Sequence, residues 1–251
     1  MNQLDNKIAL VTGGSRGYGR GIVETLAAQG ATVYAVARDA ERLDQLQREV
    51  KGVRTCAADV TDPQTAPRLL QDIRPDILVL NAGAQPEPLP IHEQTWEQFS
   101  RAWETDVKAT FYFGQQALLQ PLKPGSVVVI VSSRAAARPD GSPLSGGYAG
   151  AKRTQGFMTH YFQDEAKRAN LNIRFVVVLP KLSTQTDLGY AAASAYGARE
   201  GISADAYIAR FGDPFGPKQV GQGILELLTD KAYQEGIAFT FSDKGLLQPQ
   251  N

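Results

Sequence analysis

Short, almost continuously apolar runs alternate with longer amphipathic stretches along the 251-residue chain. The apolar runs are rich in Val and Ile, which is typical of strands that are buried on both faces of a parallel sheet. These runs predict seven strands, at residues 8–11, 32–37, 53–57, 77–80, 127–131, 173–179 and 237–241.

The stretches between these runs have a helical period of apolar residues. Thr95 followed by Gln98 is a capping-box pattern, and Pro217 suits the first turn of a helix. We therefore expect helices at residues 20–29, 40–50, 64–72, 95–119, 148–169 and 217–229. Because strands and helices alternate, the sequence predicts a doubly wound parallel α/β sheet of about seven strands with helices on both faces.

Composition narrows the class of protein. The formal net charge is zero, so nothing in it favours binding to nucleic acid or to an anionic membrane. The single cysteine, Cys56, excludes an internal disulfide framework and fits a reducing compartment. Residues 1–7 are polar and carry no secretory signal, and no apolar run is long enough to span a bilayer. We expect a single cytoplasmic domain over residues 1–251, since no linker or repeat interrupts the pattern.

Two stretches have no clear period, at residues 139–147 and 180–203. Both follow predicted strands, and open α/β sheets bind ligands beyond the carboxyl ends of their strands. We expect both stretches to form substrate walls or lids, with a substrate loop at about 180–215. The aromatic residues in or after the second stretch either line an apolar pocket or pack the lid; they are Tyr190, Tyr196, Tyr207, Phe211 and Phe215.

A glycine-rich turn follows the first predicted strand, with glycines at Gly13, Gly17 and Gly19. Glycine lets the backbone turn sharply and approach a pyrophosphate, and the helix that begins beyond the turn favours negative charge. The spacing departs from G-x-G-x-x-G, because three residues separate Gly13 from Gly17. A tight turn without a ligand is the alternative, but the position directly after the first strand favours a dinucleotide.

The end of the second predicted strand indicates which dinucleotide is bound. An acidic residue there would bond the ribose 2′-hydroxyl of NAD, but the position holds Ala37. Arg38 follows it and Arg16 lies in the glycine-rich turn, and two guanidinium groups suit a 2′-phosphate. The alternative is two solvated arginines, with Asp39 next in sequence. The pattern predicts NADP(H), preferred over NAD(H).

Tyr148 and Lys152 are four residues apart, so they share one face of a helix. A free tyrosine has a pKa near 10, and a nearby ammonium favours the phenolate, so we expect a lowered pKa for Tyr148. Such a tyrosine gives a proton to a carbonyl oxygen as hydride reaches carbon, or removes one in reverse. A serine hydroxyl can bond the same oxygen as charge develops. The alternative is a surface tyrosine beside a solvated lysine.

Over essentially its whole length the chain resembles the short-chain dehydrogenase/reductase family, in its single-domain branch. The motifs that carry the resemblance each follow a predicted strand; they are residues 12–19, Asp59-Val60, Asn81-Ala82-Gly83, Ser132-Ser133, residues 148–152 and Pro180. The resemblance implies a Rossmann-type fold and an NADP-dependent carbonyl reductase or alcohol dehydrogenase. It also implies a small carbonyl or alcohol substrate and assembly as a homodimer or homotetramer.

The resemblance also implies roles for individual residues. The implied catalytic residues are Ser133, Tyr148, Lys152 and Asp106. The implied cofactor contacts are Gly13, Ser15, Arg16, Gly17, Tyr18, Gly19, Arg38, Asp59, Val60, Asn81, Ala82, Gly83, Tyr148, Lys152, Pro180 and Thr184. Among these, Asp59 would bond the adenine amino group, Lys152 the nicotinamide ribose, and Thr184 would lie near the carboxamide. No metal site is expected, because His92 and His160 have no partner residues at metal-ligand spacing.

Four features depart from the family pattern. Asp106 replaces the usual Asn of a proton relay, on a helical face that it shares with Trp103, Val107 and Thr110 and that we expect to be buried. A buried carboxylate is rare unless it is paired or functional, so we expect it to associate with Lys152 rather than to be solvated. Lys181 replaces the usual Gly and lies either near the site or in solvent. The C-terminal segment 238–245 lacks the usual Asp-Gly-Gly. The stretch 133–148 is longer than usual, which leaves Ser145 as a substitute for Ser133.

Two other classes of function compete with a reductase. A non-catalytic nucleotide-sensing protein can use the same fold, but it should have lost the tyrosine or the lysine. An epimerase or dehydratase of related fold generally adds a C-terminal substrate domain, for which we expect this chain to be too short.

Overall fold

The computed structural model describes residues 2–139, 141–211, 215–242 and 245–248. Its strands are β1 (Ile8–Thr12), β2 (Thr32–Ala37), β3 (Val53–Ala57), β4 (Ile77–Leu80), β5 (Val127–Val131), β6 (Arg174–Leu179), β7 (Ala238–Ser242) and β8 (Gly245–Leu247). Its helices are α1 (Gly17–Ala28), α2 (Ala40–Glu49), α3 (Thr65–Ile73), α4 (Trp96–Ala102), α5 (Lys108–Leu119), α6 (Gly146–Arg168), α7 (Asp187–Arg199), α8 (Ala204–Ile208) and α9 (Pro217–Thr229). A π-helical segment, Trp103–Val107, joins α4 to α5.

The strands form one sheet in the order β3-β2-β1-β4-β5-β6-β7-β8. Every pair of neighbours is parallel except β7 with β8, which are antiparallel. Because β1 pairs with both β2 and β4, the winding of the chain reverses beside β1. Open α/β sheets bind ligands at such a switch point, beyond the carboxyl ends of the strands. The predicted doubly wound α/β fold is confirmed.

Helices cover both faces of the sheet, and each face has its own apolar core. Within β1, Ala9 and Val11 belong to one buried cluster and Leu10 to the other, as the alternation of side chains along a strand requires. The first cluster includes Ile22 of α1 and Ile224 of α9, and the second joins α3, α5 and α6 to the opposite face. The near-continuous hydrophobic runs therefore reflect burial on two faces.

The structure differs from the predicted elements mainly after β6. Residues 180–203 were expected to be irregular, but α7 occupies much of this stretch. Its buried residues are Gly189, Ala193 and Gly197, so the helix packs through small side chains and shows no apolar stripe in the sequence. The eighth strand was also not predicted, because three residues are too few for a period. The helix predicted at 95–119 is real but contains the π-helical segment.

Candidate active site

A cleft of about 810 Å³ lies beyond the carboxyl ends of the central strands. Its floor and walls come from the turns after β1, β2, β3 and β4, from the end of β5, from the first turns of α6, and from residues 180–183 and 185–189. The sheet thus brings together segments that are far apart in sequence, at its switch point.

The glycine-rich turn between β1 and α1 packs directly against the chain after β4. Gly13 has a φ of +65°, and a Cβ added there would lie 2.8 Å from the Ala82 Cα. A Cβ at Gly19 would lie only 2.0 Å from the Gly13 carbonyl oxygen. Gly17, with φ of +54°, would place its Cβ no closer than 3.7 Å to any neighbour, on the side that lines the cleft. Two glycines therefore allow close packing, and the third leaves bare backbone facing the cleft.

Hydrogen bonds fix this turn to β4. The Thr12 hydroxyl oxygen accepts the N–H groups of Asn81 and Ala82 at 3.0 and 3.1 Å. The Asn81 side-chain amide donates to the carbonyl oxygens of Thr12 and Gly13, each at 3.2 Å. The Asn-Ala-Gly sequence after β4 therefore orients the glycine-rich turn at the sheet centre.

Four polar side chains meet where β5, α6 and the π-helical segment converge. Lys152 Nζ lies 2.9 Å from Asp106 Oδ2, donates to the Val131 carbonyl oxygen at 3.1 Å, and is 5.7 Å from the centroid of the Tyr148 ring. The Ser133 hydroxyl faces Tyr148 and acts to lower the pKa of its phenol. The expected association of Asp106 with Lys152 is thus present in the structure.

The two adjacent serines after β5 have different environments. Ser132 donates its hydroxyl to the Lys152 carbonyl oxygen at 2.7 Å and so braces α6 against β5. Ser133 is the one that faces Tyr148. Ser145 does not line the cleft and instead lies 3.5 Å from the Tyr196 hydroxyl. The geometry therefore favours Ser133 over its proposed substitute.

Asp106 is fully buried, and the π-helical turn places it there. Its Oδ1 accepts the Ala84 N–H at 2.8 Å, while its backbone carbonyl accepts the Gln155 side-chain amide at 3.2 Å. A Cβ at Gly83 would lie 2.7 Å from Oδ2, so glycine is needed beside the carboxylate. The expected buried face is only partly correct, because the π-helical turn breaks the helical register and leaves Trp103 37% exposed.

Burial dominates the ionisation of this cluster. It raises the pKa of Tyr148, the charge of Asp106 raises it further, and Lys152 and the Ser133 hydrogen bond oppose the rise. The expected lowering is therefore wrong here, because desolvation disfavours the phenolate more than the ammonium favours it. Burial alone would lower the pKa of Lys152, but the carboxylate of Asp106 and the Tyr148 oxygen raise it overall. Both groups therefore hold their protons at neutral pH.

The other end of the cleft is rich in charged groups. Arg38 is exposed and, within the described chain, forms no ion pair shorter than 4.0 Å. Arg42 pairs with Asp39 at 3.1 Å, and Arg16 pairs with Asp187 at 3.0 Å. The backbone N–H and hydroxyl of Thr61 hold the pKa of Asp59 below its usual range.

A family model described as "short chain dehydrogenase" matches residues 7–196. The chain belongs to this family. L-xylulose reductase of Homo sapiens is 36% identical over 132 residues, which is 51% of this chain and 54% of the relative. Hydroxynaphthalene reductase-like protein Arp2 of Metarhizium robertsii is 31% identical over 183 residues, 69% of this chain and 67% of the relative. The match thus spans about half the length of the first relative.

The fold also matches that of a solved structure. It is the 3-ketoacyl-(acyl-carrier-protein) reductase of Brucella melitensis complexed with NADH, with a TM-score of 0.76 and 22% sequence identity. The match covers 94% of this chain and 96% of the other. The likeness confirms the Rossmann-type architecture.

Most of the residues implied by the family motifs line the cleft, but two do not. Those that do are Gly13, Ser15, Arg16, Gly17, Tyr18, Arg38, Asp59, Val60, Asn81, Ala82, Gly83, Asp106, Ser133, Tyr148, Lys152 and Pro180. Gly19 lies behind the turn, against the Gly13 carbonyl. Thr184 lies outside the lining, whereas Ser183 and Thr186 are within it. The role expected for Thr184 therefore stays a prediction, while the neighbouring side chains on the segment leading into α7 line the cleft.

The segment after β6 contributes further residues to the cleft that the family motifs do not include. Lys181, which replaces the usual glycine, lines the cleft, and its carbonyl oxygen accepts the Tyr18 hydroxyl at 2.7 Å. Thr186 caps α7 by accepting the Gly189 N–H, and Asp187 stands in the first turn. A Thr followed by an acidic residue is a helix-start pattern, so this signal was available in the sequence.

The aromatic residues of this region pack the segment over the cleft. Tyr196 stacks on Tyr207 with ring centroids 6.0 Å apart. Phe215 packs edge-on against Tyr18 with ring centroids 6.4 Å apart. Tyr190 is exposed. The rings of Tyr190, Tyr196, Tyr207 and Phe215 do not line the cleft. The structure favours the lid-packing alternative over an apolar pocket; the side chain of Phe211 lies outside the described part.

Within the described residues there is no cluster of His, Cys, Asp and Glu that could hold a metal ion. Nor does any helix in the described ranges have the length and apolar character needed to cross a membrane. Part of the C-terminal segment 238–245, residues 243 and 244, lies outside the described chain.

Proposed function

We propose that this short-chain dehydrogenase is an NADP(H)-dependent oxidoreductase that interconverts a ketone or aldehyde and an alcohol. One observation carries the proposal: Tyr148, Lys152 and Ser133 meet in the same cleft as a glycine-rich turn with bare backbone. The three side chains can transfer a proton to a carbonyl oxygen, and the glycine-rich turn can bind the phosphates of a nucleotide.

The residues of the cleft fit a dinucleotide. The bare backbone of Gly17, whose added Cβ would meet only the Thr186 methyl group at 3.7 Å, suits a pyrophosphate at the N-terminus of α1. Asp59 and Val60 would hold the adenine, and Asn81 to Gly83 would border the cofactor at the sheet centre. Lys152 would bond the nicotinamide ribose. When bound, the cofactor supplies the hydride or accepts it.

The acid/base step follows from the protonation state of Tyr148. Tyr148 is protonated at neutral pH because burial raises its pKa, so it is in the form that donates a proton to a carbonyl oxygen. The Ser133 hydroxyl can bond the same oxygen as negative charge develops. Lys152 stabilises the phenolate that remains after the transfer. At neutral pH this arrangement supports the reductive direction.

The preference for NADP(H) is supported by the arginines at the adenosine end. Arg38 follows β2, whose last residue Ala37 offers no carboxylate to a ribose hydroxyl. Arg38, Arg42 and Arg16 all line the cleft, and guanidinium groups bind phosphate in a bidentate manner.

Two further features belong to the same proposal. The continuous eight-stranded sheet supports a single domain over residues 1–251, and the lone Cys56 supports a reducing, cytoplasmic location. Assembly as a homodimer or homotetramer is supported by large apolar side chains that are exposed on α4, α5 and α6. They are Trp96, Phe111, Phe157 and Tyr161.

Turnover of a broad panel of ketones and aldehydes with NADPH tests the proposal, with consumption of NADPH followed by absorbance. We expect reduction of at least one carbonyl class, and its loss in Tyr148→Phe. Tight binding of NADPH without turnover of any panel member would favour a nucleotide-sensing protein instead.

A further inference from the structure

The glycine-rich turn is tied to the segment after β6 at two points across the cleft. At the inner end, the Tyr18 hydroxyl donates to the Lys181 carbonyl oxygen at 2.7 Å. At the outer end, Arg16 Nη1 lies 3.0 Å from Asp187 Oδ2. Arg16 is the residue before α1, and Asp187 is the first residue of α7. The ion pair therefore joins two helix starts that both border the cleft.

The Arg16–Asp187 pair occupies a guanidinium that a phosphorylated nucleotide would use. Both side chains are largely exposed, with 55% and 70% of their surface accessible, so the pair itself is weak. A phosphate carries more charge than a carboxylate and binds a guanidinium through parallel hydrogen bonds. The carboxylate of Asp187 and an incoming phosphate therefore compete for the same cation, and the two anions repel each other.

Arg38 is not held in a direct ion pair of this kind, although it interacts electrostatically with Asp59. It lines the cleft and is without an ion pair shorter than 4.0 Å in the described chain. Of the two cations expected to bind a 2′-phosphate, Arg38 thus has no direct ion pair in the described chain, whereas Arg16 is held by Asp187 of α7.

We propose that Asp187 is a specificity-determining residue that lowers the preference for a 2′-phosphorylated cofactor by holding Arg16. It acts through Arg16 and so positions that side chain, and it takes no part in the chemistry. The inference rests on the proposed function, because it concerns the same nucleotide site.

Equilibrium titration with two nucleotide fragments tests this without turnover. Adenosine 2′,5′-bisphosphate carries the 2′-phosphate and adenosine 5′-monophosphate lacks it. In Asp187→Asn we expect the affinity for the bisphosphate to rise about two- to five-fold, the range of an exposed ion pair. The affinity for the monophosphate should stay the same, because a change in helix stability alone would act on both fragments.

Matched variants distinguish the effect of releasing Arg16 from the effect of removing any negative charge. Asp205→Asn removes a carboxylate from the first turn of α8 that does not line the cleft, and should leave both affinities unchanged. Arg16→Gln should weaken bisphosphate binding, and adding Asp187→Asn to it should give no further gain. Asp187→Glu retains a carboxylate within reach of Arg16 and should keep the wild-type ratio of affinities.

Several results would overturn the proposal. They are an equal change for both fragments in Asp187→Asn, no change for either, weaker binding of the bisphosphate, or the same gain in the Arg16→Gln background. Failure of the wild type to bind either fragment would overturn the proposed function and this inference with it. If the wild type binds both fragments and reduces carbonyls, a negative result in Asp187→Asn contradicts only the role of Asp187.

Discussion

Lys152 Nζ lies 2.9 Å from Asp106 Oδ2, and the carboxylate has no exposure to solvent. Asp106 stands where the family pattern has an uncharged Asn, so the ammonium beside Tyr148 has a direct anionic partner. Its negative charge raises the pKa of both Lys152 and Tyr148. The proposed acid/base group therefore works under opposing influences, from the ammonium on one side and the carboxylate on the other.

Replacing Asp106 with Asn should shift the pH dependence of catalysis downward. Removing the negative charge removes one cause of the raised Tyr148 pKa, while Lys152 continues to favour the phenolate. The reductive rate, which needs protonated Tyr148, should then fall off at lower pH than in the wild type. The oxidative rate, which needs the phenolate, should begin at lower pH. Rate profiles measured in both directions provide the check, and only the apparent limb is predicted since the groups are coupled.

A thermal melt accompanies the Asp106→Asn profiles, because the carboxylate also accepts the Ala84 N–H. We expect the variant to fold and remain active. Profiles that coincide with the wild type would show that Asp106 does not influence the titration of Tyr148. Removing the polar group altogether, in Asp106→Leu, should destabilise the protein by roughly 3–5 kcal/mol, since it leaves the buried Lys152 without its partner.

Tyr148→Phe should remove the proton that is transferred and leave the ring in place. We expect kcat to fall by at least the roughly 10²-fold that general acid catalysis contributes, with little change in NADPH affinity. Tyr161→Phe is the matched control, because Tyr161 lies on the same helix and is 66% exposed. Near-normal turnover in Tyr148→Phe, with the control unaffected, would show that another group is the acid.

How much of the site the sequence predicts depends on the type of signal. The sheet could be predicted because strands that are buried on both faces appear in the sequence as short apolar runs. The runs at 32–37 and 127–131 coincide with β2 and β5. The Tyr148 and Lys152 pair could be predicted because i and i+4 share one helical face. These signals are local, and the switch point follows from the order of the strands.

Other parts of the site depend on contacts between distant segments. The segment over the cleft was missed because α7 packs through Gly189, Ala193 and Gly197, which give no hydrophobic period. The resemblance implies Thr184 near the carboxamide, but it does not indicate that Ser183 and Thr186 line the cleft, because the turn of the chain into α7 decides which side chains face inward. The pKa of Tyr148 could not be predicted from its lysine neighbour alone, because burial has the larger effect.

Arg38→Ala should remove most of the preference for NADPH over NADH. A charge-assisted contact to the 2′-phosphate contributes roughly 1–3 kcal/mol, which corresponds to about a 5- to 150-fold ratio of dissociation constants. Binding of each cofactor, followed by fluorescence titration, gives that ratio directly. Arg48→Ala, at the exposed end of α2, is the control for a general change of charge and should keep the wild-type ratio. An NADH affinity equal to that of NADPH in the wild type would contradict the predicted preference.

Gly19→Ala should destabilise the protein and weaken cofactor binding, although Gly19 does not line the cleft. A Cβ at this position would lie 2.0 Å from the Gly13 carbonyl oxygen, so the backbone of the turn must move. Overpacking of this kind costs about 1–3 kcal/mol, and the displaced turn no longer presents Gly13 and Gly17 in the same geometry. Thermal or urea unfolding measures the first effect, and NADPH titration measures the second.

Gly156→Ala is the control for a glycine in a helix, since nothing lies within 4 Å of the added Cβ on α6. It should stabilise the protein by about 0.5–1 kcal/mol, because alanine loses less backbone entropy on folding than glycine does. NADPH binding should be unchanged in this variant. If Gly19→Ala instead gave the same small stabilisation, the close packing of α1 against the glycine-rich turn would not hold in solution. If it lost stability but kept full NADPH affinity, the turn would not be the part of the chain that holds the cofactor.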